Sequence, residues 1–358
     1  MRPTSCEISL SNVTKNVETL AGLVAPTPIC AVVKANGYGH GAVPVARAAI
    51  DGGATWLAVA IVEEGVELRE AGIDEPILVL SEQDATSLDA LLEHGLTPSV
   101  YTSVGIERLD AVATANTRVH VLVDSGMRRI GAELDALSGV LSSIAQSKHL
   151  EVEAVWTHCP VADEPGNPFT DAQLIRFDAA VGVGLPTHVA NSATAITRPK
   201  RQGFMVRCGI SIYGIDPDPA LSGEAPLLPA MKLRSGVTFH KTIDTGESVA
   251  YGHRWTADRP STIVTVPIGY ADGVRRDLGL RGGEVLIGGK RWPIVGVVTM
   301  DQLLVDVTGG EVAVGDEVVL IGAQGDDEIT ATEVAQRLDT IAYEVVCAVG
   351  ARVPRTYV

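Results

Sequence analysis

The sequence is short of positive charge, cysteine and long apolar runs, and each shortage removes a class of function. Its 358 residues carry 28 Lys and Arg against 44 Asp and Glu, a formal net charge of −16. So acidic a surface repels phosphate backbones, and nucleic acid is not an expected partner. The five cysteines (Cys6, Cys30, Cys159, Cys208, Cys347) are odd in number, widely spaced and form no C-x-x-C pair. Neither a disulfide framework nor a metal cluster is expected from them, and a reducing cytoplasm suits them best. Long apolar runs are missing: the stretch from Trp56 to Val62 meets Glu63 and Glu64, far short of a bilayer span. No basic patch followed by an apolar run opens the sequence, so a membrane anchor and a secretory leader are both unexpected. G-x-G-x-x-G and Walker-type loops are absent, which favours a phosphate-bearing cofactor over a nucleotide.

What is present is core-forming. The apolar fraction is 46% with 20% charged residues, enough for a sizeable interior. The length exceeds the ~250 residues typical of one α/β barrel, so a second, smaller domain is expected. Eight apolar, β-branched runs read as strands: Pro28–Val33, Trp56–Val62, Pro76–Leu80, Thr97–Tyr101, Val119–Val123, Val152–Trp156, Thr187–Ala190 and Phe204–Val206. Amphipathic segments such as Ala42–Ile50, Glu64–Ala71 and Asp84–His94 separate them, closed by Gly52-Gly53, Gly72 and Gly95 in the manner of left-handed helix caps. Continuous apolar strands alternating with helices predict a covered parallel sheet. The count of eight, with chemical residues at strand C-termini, predicts a (β/α)8 TIM-type barrel over an open doubly wound sheet.

From about residue 230 the helical period fades. Ser261–Ile268, Glu284–Ile287, Trp292–Val298, Leu303–Val307 and Glu317–Ile321 read as strands between Gly-rich turns, with one helix at Ala331–Leu338. The expected division is a barrel over 10–229 and a mainly-β C-terminal domain over 230–358, to which residues 1–9 add a strand through Cys6–Leu10.

The chemistry clusters at strand ends. Lys34 follows the first strand in Val33-Lys34-Ala35-Asn36-Gly37-Tyr38-Gly39-His40-Gly41. An amine at the mouth of an apolar element is partly desolvated, which frees its lone pair for Schiff-base chemistry. His158 follows the sixth strand, Asn191-Ser192 the seventh and Arg207-Cys208-Gly209-Ile210 the eighth. Barrels hold phosphate in the loops after strands seven and eight, which suits Ser192 Oγ and the Gly209 and Ile210 amides. A helix N-cap is the alternative role for Ser192. Tyr251 and Tyr270 stand beside turn glycines of the second domain and Asp301 lies in the acid-bearing loop Thr299-Met300-Asp301-Gln302, where spacing alone assigns them nothing.

These strings resemble the alanine racemase family, pyridoxal 5'-phosphate (PLP) enzymes with a (β/α)8 barrel and a C-terminal β domain. The resemblance covers essentially the whole chain and is most specific in Val33–Gly41, Val206–Gly214, Pro267–Gly273 and Gly296–Gln302. It implies that Lys34 anchors PLP and serves one face of the substrate as a base. Tyr251, from the other subunit of a homodimer, serves the opposite face. It also implies Tyr38, Ser192, Gly209, Ile210 and Tyr343 around the phosphate, with Asn191 beside them, His158 against the ring and Arg207 at the pyridine nitrogen. Arg129, Tyr270, Met300 and Asp301 fall on the substrate side, the last two from the partner. A cationic pair, His158 and Arg207, is expected to help the Tyr251 phenol act near neutrality. The implied activity is interconversion of L- and D-alanine, supplying cell-wall peptidoglycan. The alternatives are a related racemase of broader specificity and a non-enzymatic PLP carrier, which would lack the second domain.

Two departures stand out. Family members often carry Met-Gly-Arg where this chain has Met127-Arg128-Arg129. Many also have a carbamylated lysine where Leu122 stands, so the anion that would orient Arg129 is missing.

Overall fold

The computed structural model describes residues 2–201 and 203–358. They fold into two compact units. One comprises 11–37 and 41–228; the other comprises the segments up to residue 10, 38–40 and 229–358.

The first unit is a barrel. Its parallel strands run Ile29–Val32, Ala54–Val59, Ile77–Val79, Thr97–Val100, Thr117–Asp124, Leu150–Trp156, Thr187–His188 and Val206–Cys208, each hydrogen-bonded to the next. Val206–Cys208 pairs with Ile29–Ala31, and a parallel bridge from Asn191 to Arg207 closes the circle. A short strand, Ala132–Glu133, hangs on the fifth. Helices follow the strands, and their apolar faces enclose the sheet. In Phe169–Val181, Leu174 and Phe177 lie three residues apart and are buried against Val119, Val121 and Val155. The leading helix, Leu10–Val24, is tied down by Asn16, fully buried. Its Nδ2 donates to the Ile212 and Leu228 carbonyls at 3.1 and 2.8 Å, and its Oδ1 accepts the Leu228 amide at 2.7 Å.

All eight expected barrel strands are present, with shifted ends: the second, expected at Trp56–Val62, is Ala54–Val59, because Val62 already opens the next helix. The eighth, expected at Phe204–Val206, is Val206–Cys208. A charged residue marks a strand end only when it is solvated, and Arg207 is 3% exposed inside the barrel. The glycine caps need one adjustment: Gly52 has φ −79 and Gly53, at φ 97, takes the left-handed role.

The second unit is mainly β. Its larger sheet orders Lys290–Pro293, Glu284–Ile287, Glu317–Gln324, Met231–Gly236, Ser5–Ile8 and Arg355–Tyr357, with Asp327–Ile329 on the Glu317–Gln324 strand. A three-stranded sheet joins Phe239–Ile243, Ser261–Val266 and Leu303–Asp306. Ser5–Ile8 lies antiparallel to Met231–Gly236 and parallel to Arg355–Tyr357. The strand expected over Trp292–Val298 stops at Pro293, because Gly296 turns at φ 72 and only an isolated bridge joins Ile294 to Val305. The Ala331–Leu338 helix is present, and a second helix, Ala342–Cys347, follows it.

Phe177 has no exposed surface, and truncation would leave a void the barrel wall cannot fill. Phe177→Ala should lower barrel stability by about 3–5 kcal/mol in urea unfolding. A loss below about 1 kcal/mol would mean the helix does not pack as described.

Candidate active site

Lys34 sits where the first strand breaks. Ile29–Val32 and Val33 are buried; Lys34 is half-buried. The chain then makes a left-handed turn: Ala35, Asn36 and Gly37 have φ of 53, 53 and 60, and Tyr38 has φ 50. Left-handed backbone costs an L-residue roughly 1–2 kcal/mol, so the turn must be held. The Gly37 amide donates to Val33 O at 2.8 Å and the Gly41 amide to Asn36 O at 2.8 Å. Asn36 Oδ1 accepts the Ala42 amide at 3.0 Å, and Glu64 accepts the Ala35 amide at 2.6 Å and the Ala60 amide at 2.8 Å. Tyr213 Oη donates to Val32 O at 3.0 Å. The base of the lysine stem is therefore fixed on both sides.

Arg207 is the middle residue of the eighth strand. Its Nη2 donates to Thr157 O at 2.8 Å, and its Nη1 donates to His188 O at 3.1 Å and to His188 Nδ1 at 2.6 Å. The guanidinium lies 4.5 Å from the Trp156 ring centre. Burial lowers its pKa to about 10, so it stays cationic at neutral pH. His158 Nδ1 is 3.5 Å from Arg207 Nη2. His158 is half-buried as a residue, yet its dense surroundings, then the Arg207, Arg129 and Lys34 charges, push its pKa down to about 3. His158 is thus a neutral imidazole. Of the expected cationic pair, only Arg207 carries charge, because desolvation and three neighbouring cations oppose protonation of the ring.

After the seventh strand, Asn191 is the helix N-cap: its Oδ1 accepts the Thr194 amide at 2.9 Å. The capping role considered for Ser192 therefore falls one residue earlier. Ser192, 4% exposed, instead accepts the Gly209 amide at 2.9 Å, which leaves its own O–H to donate elsewhere. Ile210 opens the short 3-10 helix Ile210–Tyr213 directly after Gly209. Ser192, Gly209 and Ile210 are thus brought together at the ends of strands seven and eight.

Leu122 is buried. It borders a cavity of about 10 Å3 lined also by Asp124, Met127, Arg129, Trp156 and His158, room for at most one water. Arg129 is exposed. Arg128 has φ 58, which explains why glycine suits that position. Asp124 Oδ1 holds the strained turn by accepting the Gly126 and Arg128 amides at 2.9 and 3.0 Å. The Arg128 side chain pairs with Glu133 on the surface at 2.6 Å.

The other expected residues lie in the mainly-β unit. Tyr38 and Tyr343 approach with ring centres 6.1 Å apart. Arg355 holds the turn after Tyr38 by donating to Gly39 O at 2.9 and 3.1 Å. Tyr251, Met300 and Tyr270 are 72%, 52% and 43% exposed. The Tyr270 amide bonds Thr299 O at 2.9 Å and the Ala271 amide bonds Met300 O at 3.0 Å, so these two loops are one structure. Asp301 pairs with Arg352 at 2.7 Å. Buried Asp272 accepts the Gly269 amide at 3.0 Å and Arg2 at 2.9 Å. Sequence reasoning missed Arg352 and His188, and left Asp272, in the loop Ile268–Gly273, without a role. For His188 a signal existed: a polar residue in a buried strand needs a partner.

An amine, a neutral imidazole and a buried guanidinium gathered at the C-terminal rim of a barrel define an enzyme of the (β/α)8 class. Residues 8–217 match the alanine racemase N-terminal domain family and residues 230–357 the alanine racemase C-terminal domain family. The alanine racemase of Symbiobacterium thermophilum is 46% identical over 100% of this chain and 97% of its own. That of Cutibacterium acnes is 42% identical over 99% and 98%. The crystal structure of the alanine racemase from E. faecalis superposes with a TM-score of 0.94 at 40% identity, covering 100% of this chain and 98% of that one. The Bacillus anthracis enzyme with bound L-Ala-P superposes at 0.93 with 38% identity, covering 100% and 95%. The chain belongs to the alanine racemase family and is an isomerase. Among the described residues no helix is long and apolar enough to cross a membrane.

The neutral histidines make stability pH-dependent. Unfolded histidine takes up a proton near ~6.5. In the fold His158 does so only near about 3, and burial also lowers the pKa of His120 and His188. Across that window the unfolded chain binds more protons. Stability is therefore full above ~6.5 and falls as pH drops, by up to about 1.4 kcal/mol per pH unit for each ring. Urea titrations at about pH 7, 6 and 5 should show this slope; a flat profile would mean the rings protonate within the fold.

Proposed function

We propose that this chain interconverts L-alanine and D-alanine by a two-base mechanism, with Lys34 on one face of the substrate and Tyr251 of the partner subunit on the other. The observation that carries this reading is the fixed stem of Lys34 at a strand end, close enough to His158 to depress its protonation. The donor set fits PLP. Ser192 keeps a free O–H beside two helix starts, an arrangement that takes a phosphate. A neutral His158 ring can lie against a heterocycle without adding charge. Lys34 would hold the group, with Tyr38, Asn191, Ser192, Gly209, Ile210 and Tyr343 around its phosphate. When bound, PLP supplies an electron sink that acidifies the substrate Cα–H.

The chain's own residues do the rest. Lys34 Nζ takes the Cα proton from the D-isomer while Tyr251 Oη of the partner subunit gives one to the opposite face, and the two exchange roles for the L-isomer. Arg207, still cationic at neutral pH, offers no acid to the ring nitrogen. Facing that nitrogen, it would leave it unprotonated and the sink weak, which would favour return of the proton over transamination. Arg129, with Met300 and Asp301 of the partner subunit, meets the substrate, and Tyr270 limits its side chain. The exposure of Tyr251 and Met300 supports a homodimer that covers them. We assign cofactor binding to residues 10–229 and the second base to 230–358, in a cytoplasmic enzyme that supplies D-alanine for peptidoglycan.

Borohydride reduction followed by peptide mapping should find the cofactor on Lys34; a different labelled lysine would refute the assignment. Tyr251→Phe should lower L-to-D kcat by about 100-fold or more, while near-wild-type turnover would remove the second base. Side-by-side assays with alanine, serine and lysine should give the highest kcat/KM for alanine. A higher value for lysine would reassign the substrate.

A further inference from the structure

Barrel interiors are ordinarily filled by layers of apolar side chains. Here a polar line crosses the interior instead. Arg207 Nη1 is 2.6 Å from His188 Nδ1, His188 Nε2 is 2.9 Å from His120 Nδ1, and His120 Nε2 is 3.1 Å from Glu153 Oε2. His120 and His188 have no exposed surface. Trp156 stacks on His188, Phe204 meets His120 edge-on, and Trp56 packs against His120. Only the Glu153 end reaches solvent, with its side chain 14% exposed and Arg118 at 3.2 Å.

Only one placement of protons satisfies this line. Arginine has no acceptor, so His188 Nδ1 must accept and its proton sits on Nε2. That proton is donated to His120 Nδ1, which puts the His120 proton on Nε2, facing the carboxylate. Every hydrogen bond points from Arg207 toward Glu153. A protonated His188 would set two donors against each other at 2.6 Å, so both rings are neutral. Burial also lowers the pKa of both.

We infer that Glu153 is a positioning residue for Arg207, acting through hydrogen bonds that His120 and His188 transmit in one direction. The inference rests on the reading that Arg207 meets the cofactor's ring nitrogen. A carboxylate in direct contact would draw the guanidinium to itself. Two interposed neutral rings instead let the carboxylate orient it from a distance, leaving its remaining edge for the site. Without Glu153 the His120 tautomer is no longer dictated. If His120 turns its N–H toward His188, then His188 must turn its own toward Arg207, which loses its acceptor.

Imidazole 15N spectra of the wild-type holoenzyme should show Nε2–H tautomers at both His120 and His188. An Nδ1–H form at either overturns the inference without any variant. Glu153→Ala should mix the tautomers at both rings, move the visible absorption band of bound PLP, and lower kcat about tenfold with KM within about twofold. Glu153→Gln, whose amide oxygen still accepts, should restore the wild-type spectra and rate. Unchanged tautomers in Glu153→Ala, or altered tautomers with an unchanged absorption band and kcat, would each overturn it. Arg207→Gln separates the two readings. If that substitution leaves the absorption band unmoved, Arg207 does not meet the ring nitrogen and the functional reading of Arg207 falls. The tautomer result for Glu153 would still report the hydrogen-bond order.

Discussion

Burial of one guanidinium organises the working end of the barrel. Arg207 donates to the carbonyls of Thr157 and His188, which lie at the ends of strands six and seven, while its own backbone bridges Asn191 to close the sheet. Parallel strands leave their last carbonyls unpaired where loops depart. An arginine is well suited to collect them, because its planar fork has several donors and sheds water more readily than an ammonium. Burial chiefly keeps His158 neutral, and the same side chain, facing it, adds to that effect. Closure of the sheet and the electrostatics of the site thus share one group, so neither can drift without the other.

The barrel was largely readable because each strand announces itself by a short apolar run ended by a turn, and such runs depend on burial alone. Local signals also sufficed for the Ala331–Leu338 helix, where Thr330 caps the first turn. Legibility failed where partners lie far away in sequence. Arg207 looked like a strand end because its hydrogen-bond partners, 50 and 19 residues earlier, are invisible in the local pattern. Met231–Gly236 escaped because a strand in the middle of a sheet is defined by its neighbours, here Ser5–Ile8 and Glu317–Gln324.

The candidate site divides in the same way. Lys34, Ser192, Gly209 and His158 could be picked out from their places at strand ends, and their roles came from family resemblance. The charge state of His158 could not, since it follows from three cations and dense packing that converge only in the fold. The meaning of Arg128 was equally hidden: its exceptional property is a backbone angle, and a side-chain label says nothing of that. The proton order from Arg207 to Glu153 joins four separate strands and has no local trace.

The pairing of Cys6 with Arg355 and of Cys6 with Leu233 has a consequence for biosynthesis. A growing polypeptide leaves the ribosome from its N-terminus, so the Ser5–Ile8 segment emerges early and must wait for both partners. Everything from residue 11 to 228, a contiguous run apart from three residues, is finished long before the second partner exists. Vectorial synthesis therefore favours maturation of the barrel first, with the β unit sealed last by its long-range pairing.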